Sequence, residues 1–293
     1  MPSMHKASNA RMWKDSSLKW RQVVRTLKAR WGQLWNQRLA HRYGMAPTPN
    51  CPLCGCVDSV GHLLGGCEHP AARAMKISRH DGAVKLIQQA ISKSPKGGWY
   101  TVMDAGKDND LPEDVTGKRL PDWLLDLAGA NLPTDHPESL RRRKLRPDIL
   151  IIEGLANSDI AGLTTEETRE HVLSNLSKLT VHVLEIGYCS DLNHAQKDLD
   201  KRLQHEELVA LLRSFRGPQG AELKVRFHDP VTLGRCGSLP TSFMALLKDT
   251  FFMTACQAEA TANKLNRHAV IWVDKMYTHR HHASTACPHR NPG

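Results

Sequence analysis

Seventeen residues, CPLCGCVDSVGHLLGGC, contain four side chains whose types and spacing suit a metal ion: Cys51-x2-Cys54-x7-His62-x4-Cys67. Zinc favours four thiolate or imidazole ligands in a tetrahedron. A C-x2-C knuckle delivers two sulfurs before the chain returns with a histidine and a last cysteine. Gly55, Gly61, Gly65 and Gly66 supply the tight backbone that such a unit needs. Cys56 and His69 stand by as substitutes for one ligand. A closed four-coordinate site folds its module and does not catalyse.

A second chemistry is written in carboxylates at strand positions. Pro147-Asp148 opens the apolar run Ile149-Leu150-Ile151-Ile152 after the basic approach RRRKLR, and Glu185 stands in the middle of HVLEIGY. A carboxylate inside a buried strand is costly unless it is neutralised, paired or metal-bound. An aspartate opening one strand and a glutamate within a later one is the layout of a two-carboxylate Mg²⁺ site, where the ion polarises a phosphate and acidifies its water. Arg141, Arg142, Arg143 and Arg146 would hold neighbouring phosphates. Asp122, after Pro121, competes with Asp148 from a less strand-like run. Asp191 reads as a third acid or as a helix N-cap, and Glu153 merely ends the strand.

These groups need elements to hold them. Residues 1–50 form a basic helical segment in which ten Lys or Arg face one acid, leaving 30 basic and 29 acidic residues among the other 243. Such a concentrated field favours a polyanion, and Lys19, Arg21, Arg25, Lys28 and Arg30 are the candidate phosphate contacts. Trp13, Trp20, Val24, Leu27, Trp31 and Trp35 recur at helical spacing over residues 9–43, which predicts packing before base stacking. Residues 51–98 hold the cysteine–histidine knuckle and a following helix, and 99–120 is polar enough to read as a linker. Residues 121–240 alternate short apolar runs with turns and helices, a mixed α/β pattern. Residues 241–293 predict helices followed by a disordered His/Arg-rich tail. No apolar run approaches the ~18–20 residues of a membrane span, and the polar N-terminus is unlike a signal peptide, so a soluble intracellular protein is expected.

The RPD of residues 146–148, followed by a strand bearing glutamate, resembles the PD-(D/E)XK nuclease core. That family usually places lysine two residues after the glutamate, where this chain has Gly187. Some members supply the lysine from the next helix, and Lys197 and Lys201, four residues apart on LNHAQKDLDKRLQHEELVALL, share one helical face. The CCHC cluster, the RPD, the glutamate strand and Lys201-x-x-Gln204-His205-x-x-Leu208 together resemble the C-terminal region of non-LTR retrotransposon polyproteins that carry a restriction-like endonuclease. Arg79-His80-Asp81 and Leu233-Gly234-x-x-Gly237 fit the same pattern.

The resemblance implies a mixed sheet flanked by helices, structural zinc, catalytic magnesium and a nuclear site of action. The partners it implies are DNA and element RNA. Its nick leaves a 3′-hydroxyl that primes reverse transcription. The chain has no Tyr-x-Asp-Asp polymerase signature, so it is not expected to copy RNA itself: it is a fragment with a reverse transcriptase domain encoded upstream, a degenerate copy or a free-standing descendant. Gln204-His205 depart from the second lysine and tyrosine usual in the family, and leave the choice between Lys201 and Lys197 open. Two function classes follow: a Mg²⁺-dependent DNA endonuclease, or a zinc-containing nucleic-acid-binding module whose nuclease fold is inactive.

Overall fold

A computed structural model describes residues 10–95, 98–105, 115, 120–121, 123–124, 146–190, 194–217 and 220–286. The fold is mixed α/β, with a small mixed sheet and helices beside a Cys/His cluster near the N-terminal region. In chain order come α1 (Trp20–Arg30), α2 (Gln37–Arg42), the one-turn segment His62–Gly66, α3 (Pro70–Ser92), β1 (Trp99–Met103), β2 (Ile149–Ala156), α4 (Thr165–Ser174), β3 (Thr180–Leu184), β4 (Ile186–Cys189), α5 (His194–Arg213), β5 (Lys224–Phe227), β6 (Val231–Gly234) and α6 (Ala255–Ala286).

Four strands pair in the order β1-β2-β3-β5, antiparallel except for β3 with β5, while β4 and β6 form a parallel pair of their own. Because side chains alternate along a strand, Ile149 and Ile151 pack on one face of β2 and Leu150 and Ile152 on the other. The first face meets Ala83, Val84, Ile87 and Ile91 of α3 and Ala258, Ala262 and Leu265 of α6. The second meets Val172 of α4 and Leu208, Leu211 and Leu212 of α5. Burial on both faces explains why ILII is continuously apolar rather than alternating.

Four expectations are corrected. The segment 99–120 is not wholly a linker, since β1 pairs with β2 from Trp99 and buries Tyr100, Val102 and Met103. Residues 9–43 are not one helix. Gly32, at φ +67, turns the chain after α1 and separates it from α2, a conformation that glycine adopts without strain. The tryptophans do not pack, and Trp13, Trp20, Trp31 and Trp35 are exposed. The His/Arg-rich tail continues α6 to Ala286 because Arg280 is buried against Asp58 at 2.8 Å. The helix expected in the insertion is α4, capped by Thr164 with Glu167 returning the bond. Asp122, Arg141, Arg142, Arg143 and Asp191 lie outside the described residues.

Candidate metal cluster and candidate active site

Short-range geometry gathers Cys51, Cys54, His62 and Cys67. Cys51 and Cys54 lie in a turn in which the Leu53 and Cys54 amides donate to Cys51 Sγ at 3.3 Å, and Gly55, at φ +76, closes it. The His62–Gly66 turn carries His62 over the knuckle and ends as the Cys67 amide donates to the His62 carbonyl at 2.9 Å. Cys51 Sγ and Cys67 Sγ are 3.9 Å apart, Cys54 Sγ and Cys67 Sγ 3.8 Å, and Cys54 Sγ and His62 Nε2 3.2 Å. Ligands ~2.3 Å from a shared centre in a tetrahedron lie about 3.8 Å from one another. All four donor atoms fall within 4.8 Å of one another, so the group can hold a metal ion and its donor set is consistent with zinc.

The electrostatics agree. Burial pushes the Cys51 thiol up to about 12, so thiolate there calls for a cation among the donors. Burial also holds His62 below its ordinary value, which favours the neutral, ligating imidazole. Of the alternative ligands, Cys56 is exposed and hydrogen-bonds with Cys54 at the edge of the cluster, while His69 caps α3 by accepting from the Ala71 amide at 3.4 Å. Arg280 approaches Cys67 Sγ at 3.7 Å while paired with Asp58, whose other oxygen accepts from the Gln37 amide at 3.1 Å.

The carboxylates meet at the open end of β2. Chain direction explains this: Ile149 pairs with Leu184 in antiparallel register, so Asp148, one residue before, comes beside Glu185, one residue after. The Asp148 amide donates to Glu185 Oε1 at 3.2 Å, and the Ile186 amide donates to Asp148 Oδ2 at 2.7 Å. From α5, Lys201 Nζ reaches Asp148 Oδ2 at 3.1 Å and Glu185 Oε2 at 2.8 Å. One helical turn later on the same face, His205 Nε2 meets Glu185 Oε1 at 2.9 Å, with both side chains fully buried. From α3, His80 Nε2 lies 3.3 Å from Asp148 Oδ1 and 3.2 Å from the Ile186 carbonyl, and His80 Nδ1 lies 3.3 Å from Asp81.

Charge balance follows from burial. Burial penalises the His80 imidazolium, but hydrogen bonds to Asp148 and Asp81 outweigh it and push the group up to about 10. Burial would likewise raise Asp148, yet His80 and Lys201 hold it well below the usual carboxylate range. Glu185 is raised, first by burial and then by the Asp148 charge. For Lys201, burial is overcome by the two carboxylates, which keep the amine protonated. An ammonium ion bridging two buried carboxylates shows that this position demands positive charge.

Of the expected site residues, Asp148, Glu185 and Lys201 come together. Lys197 does not join them by any ion pair found among the described residues; its stem lies over Gly187, where an added Cβ would meet Lys197 Cε at 3.5 Å. Arg146 pairs with Asp104 at 2.5 Å. Glu153 accepts from His182 Nε2 at 3.0 Å. In α1, Arg25 pairs with Asp274, Arg21 lies 3.5 Å from the same carboxylate while remaining exposed, and Arg30 donates to the Cys236 carbonyl at 2.8 Å; Lys28, and Lys19 just before the helix, are exposed. Two participants had no assigned role: His205, whose signal was its four-residue spacing from Lys201, and His80, which lies 68 positions before Asp148. No protein-family model and no curated protein matches the chain.

Proposed function

We propose that the chain is a zinc-containing, Mg²⁺-dependent DNA endonuclease with a PD-(D/E)XK-like core, of non-LTR retrotransposon origin. It nicks nuclear target DNA so that a 3′-hydroxyl is left to prime reverse transcription. The observation that carries this reading is the convergence of the Asp148 and Glu185 carboxylates on the Lys201 amine, at 3.1 and 2.8 Å, from three separate positions in the chain. Paired carboxylates beside a cation are what phosphodiester hydrolysis requires.

Asp148 and Glu185 would hold Mg²⁺, which when bound supplies Lewis-acid polarisation of the phosphate and an acidified water. Lys201, protonated between two carboxylates, serves as a stabiliser of negative charge and not as a base. His205 orients Glu185, and His80 orients Asp148. Water attacks phosphorus and gives up a proton to solvent as the bond to the 3′ oxygen breaks, leaving a 5′-phosphate, and the 3′ oxygen leaves as a hydroxyl once protonated from solvent. Zinc in the cysteine–histidine cluster folds the knuckle and contributes no chemistry. Purified protein incubated with supercoiled DNA and Mg²⁺ tests the proposal. Nicking by wild type and not by Asp148→Ala is the expected result, and equal nicking by both would end it.

A second reading is favoured by the internal neutralisation of the site. Lys201, His80 and His205 already satisfy both carboxylates, so the cluster can persist as structure in a nucleic-acid-binding module without catalysis. That reading predicts salt-sensitive binding of DNA or element RNA that survives Asp148→Ala and weakens in Cys54→Ser.

A further inference from the structure

The outward side of α1 is built from indoles and cations. At 100° per residue, Trp20, Arg21, Lys28 and Trp31 fall within an arc of about 100°. Val23, Thr26 and Ala29, the buried residues of the helix, lie opposite. Trp20 and Trp31 expose 69% and 73% of their surfaces, far beyond what two indoles in a folded core would show. They stand about 16 Å apart along the axis. Trp13 extends the row at one end, 6.1 Å from Trp20, and after the turn at Gly32 Trp35 stacks on Tyr43 at 6.1 Å with planes 8° apart. Trp35 also walls a cavity of ≈ 200 Å³ with Asn36, Tyr277 and His281.

The charge on this outward side is mostly positive: Lys28 is exposed, and Arg21 stays exposed although its Nε lies 3.5 Å from the buried Asp274. Lys14, Lys19, Arg38 and Arg42 are exposed beside it, and Asp15, the one acid of residues 1–50, is turned to Arg267 at 2.6 Å. Cations alone would grip a duplex and a single strand alike, because both present phosphates. Exposed indoles discriminate, since a base offers its flat face only when it is unpaired and unstacked.

We propose that this face is a stacking platform for an unpaired nucleic-acid strand, with Trp20 and Trp31 taking bases while Arg21 and Lys28 take the intervening phosphates. The inference rests on the nucleic-acid reading above and specifies its ligand. It is separable from catalysis because none of these residues touches Asp148 or Glu185.

The test is titration of intrinsic tryptophan fluorescence with a twenty-nucleotide oligo(dT), an oligo(U) of equal length and a duplex, without Mg²⁺ and in the Asp148→Ala background. Trp20→Ala/Trp31→Ala is expected to weaken both single strands about 10- to 100-fold. Trp20→Phe/Trp31→Phe should retain most of the affinity, and the duplex should change less than threefold. Arg21→Ala/Lys28→Ala should instead flatten the slope of log affinity against log salt by about 1.4. Oligo(dT) against oligo(U) decides between DNA and RNA as the strand bound. Undiminished single-strand binding by the alanine pair would overturn the proposal, as would equal loss on duplex. Conversion of a dimer to a monomer by the same pair would also overturn it, because the face would then be an interface between copies. Failure of wild type to nick, with single-strand binding intact, would sink the nuclease and leave the platform standing.

Discussion

The cysteine–histidine cluster and the carboxylate cluster solve the same problem, burying groups that prefer charge, in opposite ways. Cys51, Cys54, His62 and Cys67 face chiefly one another, with Arg280 near Cys67, so stable thiolates there need an ion from outside. Asp148 and Glu185 bring their counter-charges with them, in Lys201, His80 and His205. One site has a place that a metal ion could complete. The other is complete without it, and so can be preorganised before a substrate arrives.

The largest effect should separate them. Structural zinc in a knuckle contributes on the order of 10 kcal/mol to folding, so Cys54→Ser or zinc stripping should release the metal and expose residues 51–67 to rapid amide exchange. Withholding Mg²⁺ should leave exchange at β2 and β3 unchanged. Mass spectrometry of bound metal and exchange at both places would check the contrast, and equal protection of residues 51–67 with and without zinc would break it.

Next in size is the loss of one partner from the self-neutralised site. Asp148→Ala leaves Lys201 with Glu185 alone and His80 with Asp81 alone, and breaking a buried ion pair costs about 3–5 kcal/mol. It should also lower nicking at least about 100-fold. Lys201→Met should lower nicking comparably, yet destabilise less than Asp148→Ala because Glu185 still has His205. Urea melts and nicking rates on the same preparations read both quantities.

Sequence and structure part company along the same division. The metal cluster was legible because its ligands lie within one short stretch, where spacing nearly dictates geometry. Glu185 stood out as a carboxylate inside an apolar strand and Asp148 as one opening such a strand, while Lys201 came from the resemblance to nucleases that carry their lysine on the following helix. His80 was not assigned a role, because nothing local links a mid-helix histidine to a strand end that the chain reaches only after β1. The tryptophan row misled for the same reason: period 3.6 reveals which residues share a face, and only the packing of α6 against α1 decides which face turns inward.

A smaller effect tests the balance from the histidine side. His80 is raised from its ordinary value of 6.5 to about 10 by Asp148 and Asp81. A group raised by folding contributes stability that is fully present below pH 6.5 and is lost as pH climbs through about 10. The size should be a few kcal/mol at most. Urea stability of wild type should therefore decline across that alkaline window, and His80→Ala should flatten the decline. His62 of the metal cluster is shifted downward, so it cannot produce an alkaline loss of this kind. Parallel profiles for wild type and His80→Ala would show that the carboxylate site does not depend on this histidine for its neutrality.

The smallest effect concerns Gly187, the position at which the PD-(D/E)XK nucleases that the sequence resembles usually carry a lysine. A Cβ at Gly187 would meet Lys197 Cε at 3.5 Å, Lys197 Cγ at 3.7 Å and Thr232 Oγ1 at 3.9 Å, all ordinary contacts. Gly187 has no positive φ to defend. Gly187→Ala should thus change stability by no more than about 0.5 kcal/mol and leave nicking within twofold. Lys197→Ala should be nearly as mild, since its stem covers the glycine and, among the described residues, no ion pair ties its amine to Asp148 or Glu185. If Lys197→Ala abolished nicking and Lys201→Met did not, the catalytic cation would belong to the turn of α5 nearest β4, and the self-neutralised trio around Lys201 would be scaffold alone.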